Sequence, residues 1–365
     1  MPSRSRRILS RMSSGALGGA DVTVIICAYT HDRWNDICDA IKSVVRQSLK
    51  PAECLVVVDH NRPLADELTA FVWRCDFQSM VTVIHSTGPR GLSGARNSGV
   101  ARATTAIVAF LDDDAAADRE WLAELVAAYD SDDVRGVGGH VRPRWPDRVR
   151  PGWFPSEFNW VVGCSYTGSP TEVAEVRNFI GANMSLRRDD VMAAEGFHTG
   201  LGRVGKTPLG CEETELCIRI RQRRPGARMM HVPAASVGHR VSADRVPLRY
   251  FLRRCHAEGI SKAAVSGLVG SADGLQSERR YTMYVLPRGI LGRLSRVVGT
   301  SAGVRQRVDL AAQTVVLAGG LLTTTFGYVR GRTTGAAIPD RLTPLHLRVV
   351  GDSYKVTDAA SGGSK

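Results

Sequence analysis

Four short apolar runs constrain this chain more than anything else in it. Residues 22–27 (VTVIIC), 54–58 (CLVVV), 81–84 (VTVI) and 106–111 (AIVAFL) are rich in β-branched side chains and almost free of polar interruption. A strand that exposes one face alternates polar and apolar residues, whereas an uninterrupted run belongs to a strand covered on both faces, the condition of a parallel sheet between helical layers. Between the first two runs Trp34, Ile37, Cys38, Ile41, Val44 and Val45 recur at helical spacing, and Pro51 closes the segment. Strand, helix, strand repeated in this way predicts an α/β fold with a doubly wound, mainly parallel sheet.

Later segments are less regular. Residues 143–155 read as a Pro-, Arg- and Trp-rich loop, 178–186 (NFIGANMSL) as a strand with a glycine break, and 212–221 as a helix. A length of 365 residues accommodates two domains, or one large domain with an extension. The division expected is a basic disordered tail over 1–20, the sheet domain over 21–240, a helical basic extension over 241–350 and a disordered tail over 351–365.

Doubly wound sheets bind ligands beyond the carboxyl ends of their strands, so polar residues just after each run are candidate site residues. After the first come Ala28 and Tyr29 in AYTHDR, after the second Asp59 in DHNR, after the third Arg90 and Asn97 in GPRGLSGARN, and after the fourth Asp112, Asp113 and Asp114. Three adjacent carboxylates repel one another, and such a cluster is best accounted for by a cation. In extended backbone Asp112 and Asp114 share a side, and hard oxygen ligands suit Mg2+ or Mn2+. The bland alternative is a solvated turn ahead of the helix through Trp121 and Leu125, for which Asp118 is a starting residue. The glycines from 88 to 99 allow close approach of backbone to a ligand, and the following helix N-terminus favours a diphosphate. This is not the G-x-G-x-x-G of a dinucleotide fold, and it follows the third strand instead of the first.

Charge adds a partner class. The formal net charge is +12 with a pI near 9.6, which calls for nucleic acid, a phosphate-bearing substrate or an acidic membrane surface. The eight cysteines show no C-x-x-C spacing and read as buried thiols of a cytosolic protein.

Taken in order, VTVIICAYTHDR, LVVVDHN, GLSGARNSGVARA, IVAFLDDDA, NFIGANMSLRRD and GCEETELCIRIR resemble the family-two inverting glycosyltransferases, nucleotide-sugar enzymes of GT-A fold. The resemblance covers about residues 21–240. It implies that Ala28, Tyr29 and Asp59 hold the donor's base and ribose, that Arg90 and Asn97 line the nucleotide pocket, and that Asn183 lies beside the transferred sugar. Asp112 to Asp114 would be the D-x-D element, with Asp114 the metal ligand. The acids Glu212 and Glu213 match the element whose second acid deprotonates the acceptor hydroxyl, and helical spacing lets either point inward. Glu215 and Arg219 read as an i,i+4 surface pair. His239 resembles a histidine that completes the metal site in some GT-A enzymes, and a structural role is an equal alternative.

The implied chemistry is inverting, metal-dependent, non-processive hexosyl transfer, with Mn2+ or Mg2+ as cofactor. The donor is a nucleotide-diphosphate sugar and the acceptor a hydroxyl on a glycan, a lipid-linked glycan or a small molecule. The location expected is cytoplasmic, with peripheral attachment at the inner face of the cell membrane, and no nucleic acid is expected. Gln222-Arg223-Arg224 does not complete the Q-x-x-R-W element of processive synthases. Two rivals are a sugar-phosphate nucleotidyltransferase and a non-catalytic basic adaptor; the first would place its glycine loop after the first strand, and the second leaves the aspartates unexplained. Arg245, Arg249 and Arg253 recur every four residues and suit an acidic membrane surface, a phospholipid acceptor or a solvated helix face. Residues 310–329 carry no charge and have the length of a span, but Gln313, Gly319, Gly320 and the threonines favour a helix packed on the protein or lying in the membrane interface, with a single span as the open alternative.

Overall fold

Each of the four apolar runs forms a strand of one sheet: β1 (Val22–Ala28), β2 (Glu53–Val58), β3 (Val81–His85) and β4 (Ile107–Asp112). The computed structural model describes residues 17–203, 209–275, 278–279, 281–298 and 303–334, and the backbone of 346–350 and 353–357. These four strands are parallel, in the order β3-β2-β1-β4. They are linked by α1 (Trp34–Val45), α2 (Arg62–Arg74) and α3 (Leu92–Arg102). Val24 and Ile26 of β1 pack with Ile37 and Ile41 of α1 on one face, while Ile25 packs with Val57, Phe110 and Ala95 of α3 on the other. Both faces are covered, which is why these strands carry no polar alternation.

Beyond β4 the sheet becomes mixed. It continues with β5 (Ala115–Ala117), β6 (Val134–Arg144), β7 (Ala174–Glu175), β8 (Asn183–Arg187) and β9 (Arg228–Arg240), and the full order is β3-β2-β1-β4-β8-β6-β9-β5, with β7 on β9. Three helices accompany them: α4 (Trp121–Ala127), α5 (Arg188–Ala193) and α6 (Glu212–Arg223). The strand expected over 178–186 starts only at Asn183; Gly181 instead turns its backbone toward Arg96, where a Cβ would lie 2.8 Å from the guanidinium. The glycines of the segment after β3 serve packing as much as ligand approach. A Cβ on Gly94 would meet the Pro89 carbonyl oxygen at 1.9 Å, and one on Gly99 would meet the Ile25 side chain at 2.7 Å.

The C-terminal part is helical, with α7 (Leu248–Val269), α8 (Leu286–Val298) and α9 (Val304–Thr333). α7 and α9 touch at glycines: a Cβ on Gly259 would lie 2.1 Å from the Thr324 carbonyl oxygen, and one on Gly327 equally close to that of His256, at 2.1 Å. Phe251 of α7 packs edge-on against Trp153 and Phe154, with Phe158 tilted beside it, and such ring pairs each add about 0.5–1.5 kcal/mol beyond their buried area. Arg293 of α8 grips both oxygens of Glu157, at 2.7 and 2.8 Å. The extension is therefore bolted to the sheet domain. An antiparallel pair, β10 (His346–Val350) with β11 (Ser353–Thr357), crosses the place where the expected structureless tail began. The expected disorder of 1–16 and 358–365 concerns residues outside those described.

Candidate active site

One cleft of about 920 Å³ opens along the carboxyl edge of β1 and β4 and runs under the C-terminal helices. Parallel register sets Asp112 beside Cys27 at the ends of neighbouring strands. The chain then turns through Asp113 and Asp114 into β5, which pairs antiparallel with β9 so that Ala115 faces His239. The Arg240 amide donates to the Asp114 carbonyl at 2.8 Å, fixing the turn. A short strand after the triad, in register with one more than a hundred residues later, is thus what delivers the histidine.

The carboxylates of Asp112 and Asp114 and the His239 imidazole each offer an atom within 4.8 Å of the others. His239 Nε2 lies 2.9 Å from Asp114 Oδ1, and Arg33 Nη1 and Arg245 Nη2 approach Asp114 Oδ2 at 3.2 and 3.4 Å. Burial opposes ionisation of Asp114, but His239, Arg33 and Arg245 outweigh it and hold its carboxyl well below the usual range. Burial likewise opposes charging of His239, and the Asp114 carboxylate overrides it and lifts the imidazole to about 10. Asp113 is pushed up to about 7 by burial, against the pull of Arg33. Its Oδ1 accepts from Arg33, while Oδ2 is buried with no hydrogen-bond partner. Two carboxylates and an imidazole form a donor set that fits a small divalent cation, and an orphaned carboxylate oxygen next to them is where further positive charge is wanted.

Across the cleft, α6 begins at Glu212 after Cys211, a non-glycine residue with φ of +72°. Backbone in this left-handed region is costly for a side chain and persists where surrounding structure imposes it, commonly at a working site. Glu212 is buried and accepts from Arg96 at 2.8 Å. Arg96, 2% exposed, also reaches Asp112 at 3.3 Å and the Gly181 carbonyl at 3.1 Å, tying the two acidic groups together. Glu213 lines the cleft half-buried, and burial, then the neighbouring Glu212 charge, push its carboxyl up to about 8.

Of the residues singled out in the sequence, Ala28, Tyr29, Asp59, Asp112, Asp113, Asp114, Glu212, Glu213 and His239 all line this cleft. Asp59 accepts from the Gly91 amide at 2.9 Å, and Tyr29, 48% exposed, carries the Arg33 guanidinium over its ring at 5.5 Å. Three of the residues singled out are placed away from the cleft lining. Arg90 is exposed and outside the cleft lining. Asn97 is fully buried and clasps the Phe197 backbone, donating to its carbonyl at 2.8 Å and accepting from its amide at 2.7 Å. Asn183 is also fully buried, donating to the carbonyls of Ala235 and His140 at 2.8 and 3.1 Å and accepting from Trp121 at 2.7 Å, so it knits strands instead of facing the cleft. Polar residues in a motif beside a site are read as ligands from sequence, yet an amide with two donors and an acceptor serves equally well to close a buried backbone gap.

Two further readings change. Glu215 and Arg219 do pair, at 2.6 Å, but Glu215 is buried, so the pair is an internal tie to the Gly196 carbonyl and not a surface decoration. Arg245 is not on the face of a helix with Arg249 and Arg253; it ends a 3-10 turn (Ala243–Arg245) and is buried against Asp114. Arg33, Arg96 and Arg203 are among the cleft cations to which the sequence reading assigns no role. Two of them sit in a motif: Arg33 closes AYTHDR and Arg96 precedes Asn97 in GLSGARN.

The far end of the cleft is built differently. Glu278 accepts from both nitrogens of Arg177, at 2.6 and 2.8 Å, and from Lys262 at 2.6 Å. Glu258 is held by Arg254 at 3.0 Å and accepts from the Cys211 thiol at 3.2 Å. Beside this network stand Trp160, Tyr166 and Tyr281, and then Leu321, Thr324, Thr325 and Tyr328 of α9.

A parallel sheet turned mixed past β4, an Asp-Asp-His group at its edge and an acidic helix start opposite are the architecture of a nucleotide-sugar glycosyltransferase of GT-A fold, and the matches to known proteins bear this out. Residues 23–193 match the family model "Glycosyl transferase family 2". A glucosyl-dolichyl phosphate glucuronosyltransferase of Haloferax volcanii is 31% identical over 318 residues, 86% of this chain and 96% of that one. An uncharacterised glycosyltransferase of Rickettsia conorii is 32% identical over 107 residues, 29% of this chain and 17% of that protein. Among solved structures, a Pyrobaculum calidifontis mannosyltransferase in complex with GDP-Man and Mn2+ superposes with a TM-score of 0.55 at 16% identity, covering 91% of this chain and 92% of that one, a likeness of fold. The chain belongs to glycosyl transferase family 2.

Proposed function

We propose that this enzyme is an inverting, non-processive, metal-dependent transferase that moves a sugar from a nucleoside diphosphate to a hydroxyl of a lipid-linked glycan, at the cytoplasmic face of a membrane. The observation that carries this reading is the shared cleft: Asp112, Asp114 and His239 on one wall and Glu213 on the other. Mn2+ or Mg2+ held by Asp112, Asp114 and His239 would supply Lewis-acid neutralisation of the leaving diphosphate. Cation binding requires neutral imidazole, so it competes with the proton that Asp114 holds on His239. Tyr29 and Asp59 are suited to the base and ribose by their place after β1 and β2. Arg33, Arg203 and Arg245 add fixed positive charge at the diphosphate end.

Glu213 is the better base because Glu212 is already engaged by Arg96. Its carboxylate takes the acceptor hydroxyl proton while the acceptor oxygen bonds to the anomeric carbon and the diphosphate departs with the electron pair, one displacement that inverts the centre. No protein nucleophile is needed. The lipid-linked acceptor is supported by the name of the Haloferax relative and by the side chains of Trp160, Tyr166, Tyr281, Leu321 and Tyr328 that stand beside the ion-pair network at the cleft's far end. The test is a panel of nucleotide sugars with and without Mn2+ or Mg2+, reading nucleoside diphosphate release and the anomeric configuration of product by NMR. Retention of configuration, or undiminished turnover in chelator, would overturn the mechanism.

A further inference from the structure

The outer surface of the C-terminal helices is the largest feature that the catalytic reading leaves unused. On α9 the residues Leu310, Gln313, Leu317, Gly320, Gly327 and Gly331 are buried, a face at helical spacing pressed against the protein. On the opposite face Val304, Val308, Val315, Leu322, Phe326 and Val329 are exposed, Leu322 by 70% and Phe326 by 62%. Those six fall within one stripe about 38 Å long at 1.5 Å per residue. Met283, Tyr284, Leu291, Leu294 and Val298 extend the exposed apolar surface across α8 and the turn before it. An apolar face of this extent is not left to water without a partner.

Charge identifies the partner. Between residues 281 and 334 the chain has seven arginines and one acid, Asp309. Arg288, Arg296, Arg305, Arg330 and Arg332 are exposed, and at 100° per residue Arg305 and Arg330 rim the α9 stripe on one side and Arg332 on the other. A basic rim around an apolar stripe is complementary to anionic headgroups over acyl chains. α9 has the length and composition of a span, and 22% of its apolar window is buried against the protein. Its inner face is locked at glycines to α7, which carries Arg253, Arg254, Glu258 and Lys262, groups that do not belong in hydrocarbon.

We infer that α8 and α9 form a monotopic docking surface that lies flat in the interface of an anionic bilayer. α9 turns Leu321, Thr324, Thr325 and Tyr328 into the catalytic cleft while presenting Leu322, Phe326 and Val329 outward, so the cleft's far end adjoins the lipid. This deepens the peripheral location proposed above, and it is read without turnover, so a failure of the transfer chemistry leaves it standing. The experiment is flotation of the full chain with phosphatidylglycerol and with phosphatidylcholine vesicles. Binding to the anionic vesicles is expected, with release in high salt. Arg296→Glu with Arg330→Glu should lower it about thirtyfold, and Leu322→Glu with Phe326→Glu should lower it similarly. Both double variants should keep the melting temperature and the hydrolysis of soluble donor. The inference is overturned if wild type ignores anionic vesicles, if either variant floats like wild type, if the bound protein resists salt and alkaline carbonate as a span would, or if the stripe variants instead dissociate a dimer.

Discussion

In the function proposed above the cleft has a donor edge and an acceptor flank, and the two reach the same cavity by opposite routes. At the donor edge, charged groups hang from the ends of β1 and β4 and from the register of β5 on β9, so the sheet alone places Asp112, Asp114 and His239. At the flank, Arg177 comes from a loop, Glu258 and Lys262 from α7 and Glu278 from a short helical segment, and they are held by one another. The first arrangement is rigid because backbone hydrogen bonds fix it; the second is rigid only while every charge keeps its partner. Changes at the donor edge should therefore strike chemistry first, and changes at the flank stability first.

Asp114→Ala tests that contrast hardest, with turnover expected to fall about 10⁴-fold as both the metal ligand and its electrostatic support are lost. Its partners add a second effect: His239, Arg33 and Arg245 would be left buried around a missing charge, a loss of about 3–5 kcal/mol. Thermal melts beside turnover separate the two effects, and an active Asp114→Ala would break the metal assignment. Glu213→Gln comes next, with transfer down about 10³-fold and donor binding by calorimetry preserved. Because the Glu213 carboxyl is raised to about 8 and the base must be ionised, wild-type transfer should climb with pH through about 8. The glutamine variant should show no such limb, and the same behaviour in Glu212→Gln alone would transfer the role to Glu212.

At the flank, Glu278→Ala should leave the pH profile of transfer unchanged and cost about 3–5 kcal/mol in denaturant melts, since Arg177 and Lys262 lose a shared counter-charge. Burial disfavours the Glu278 carboxylate, but Lys262 and Arg177 outweigh it and hold the group down at about 2. A depressed acid stabilises the fold above its unfolded value, near 4.5, and that stabilisation drains away as pH falls toward about 2. Wild type should thus show an acid limb in stability across this window that Glu278→Gln lacks.

The same contrast explains what could be read in advance. Uninterrupted apolar runs and the polar residues after them are local signals, and they gave the parallel half of the sheet, the aspartate triad and the acidic start of α6. His239 was readable only as an even choice, because what brings it beside Asp114 is the pairing of three residues of β5 with β9, a non-local fact. Arg96 was invisible for a related reason: its partners Asp112, Gly181 and Glu212 lie 16, 85 and 116 positions away. The four-residue spacing of Arg245, Arg249 and Arg253 suggests one helix face, but Arg245 lies outside α7, on the turn before its N-cap Pro247. The flank network left no motif at all, since paired charges of opposite sign resemble any solvated surface until the fold buries them.

Asn97 gives the finest test, because it sits one residue from Arg96 and does a different job. Its side chain bridges both backbone groups of Phe197, whose ring packs edge-on to Phe110 at 5.3 Å and lies under the Arg96 guanidinium at 5.3 Å. Asn97→Ala leaves a buried amide and carbonyl without partners, a loss of about 1–3 kcal/mol, and donor affinity at saturating fold should be nearly unchanged. Asn97→Asp should be no better, since a carboxylate can accept from the Phe197 amide but cannot donate to its carbonyl. A tenfold or larger rise in donor KM for Asn97→Ala with an unaltered melt would return this residue to the nucleotide pocket and dissolve the distinction between the helix's two neighbours.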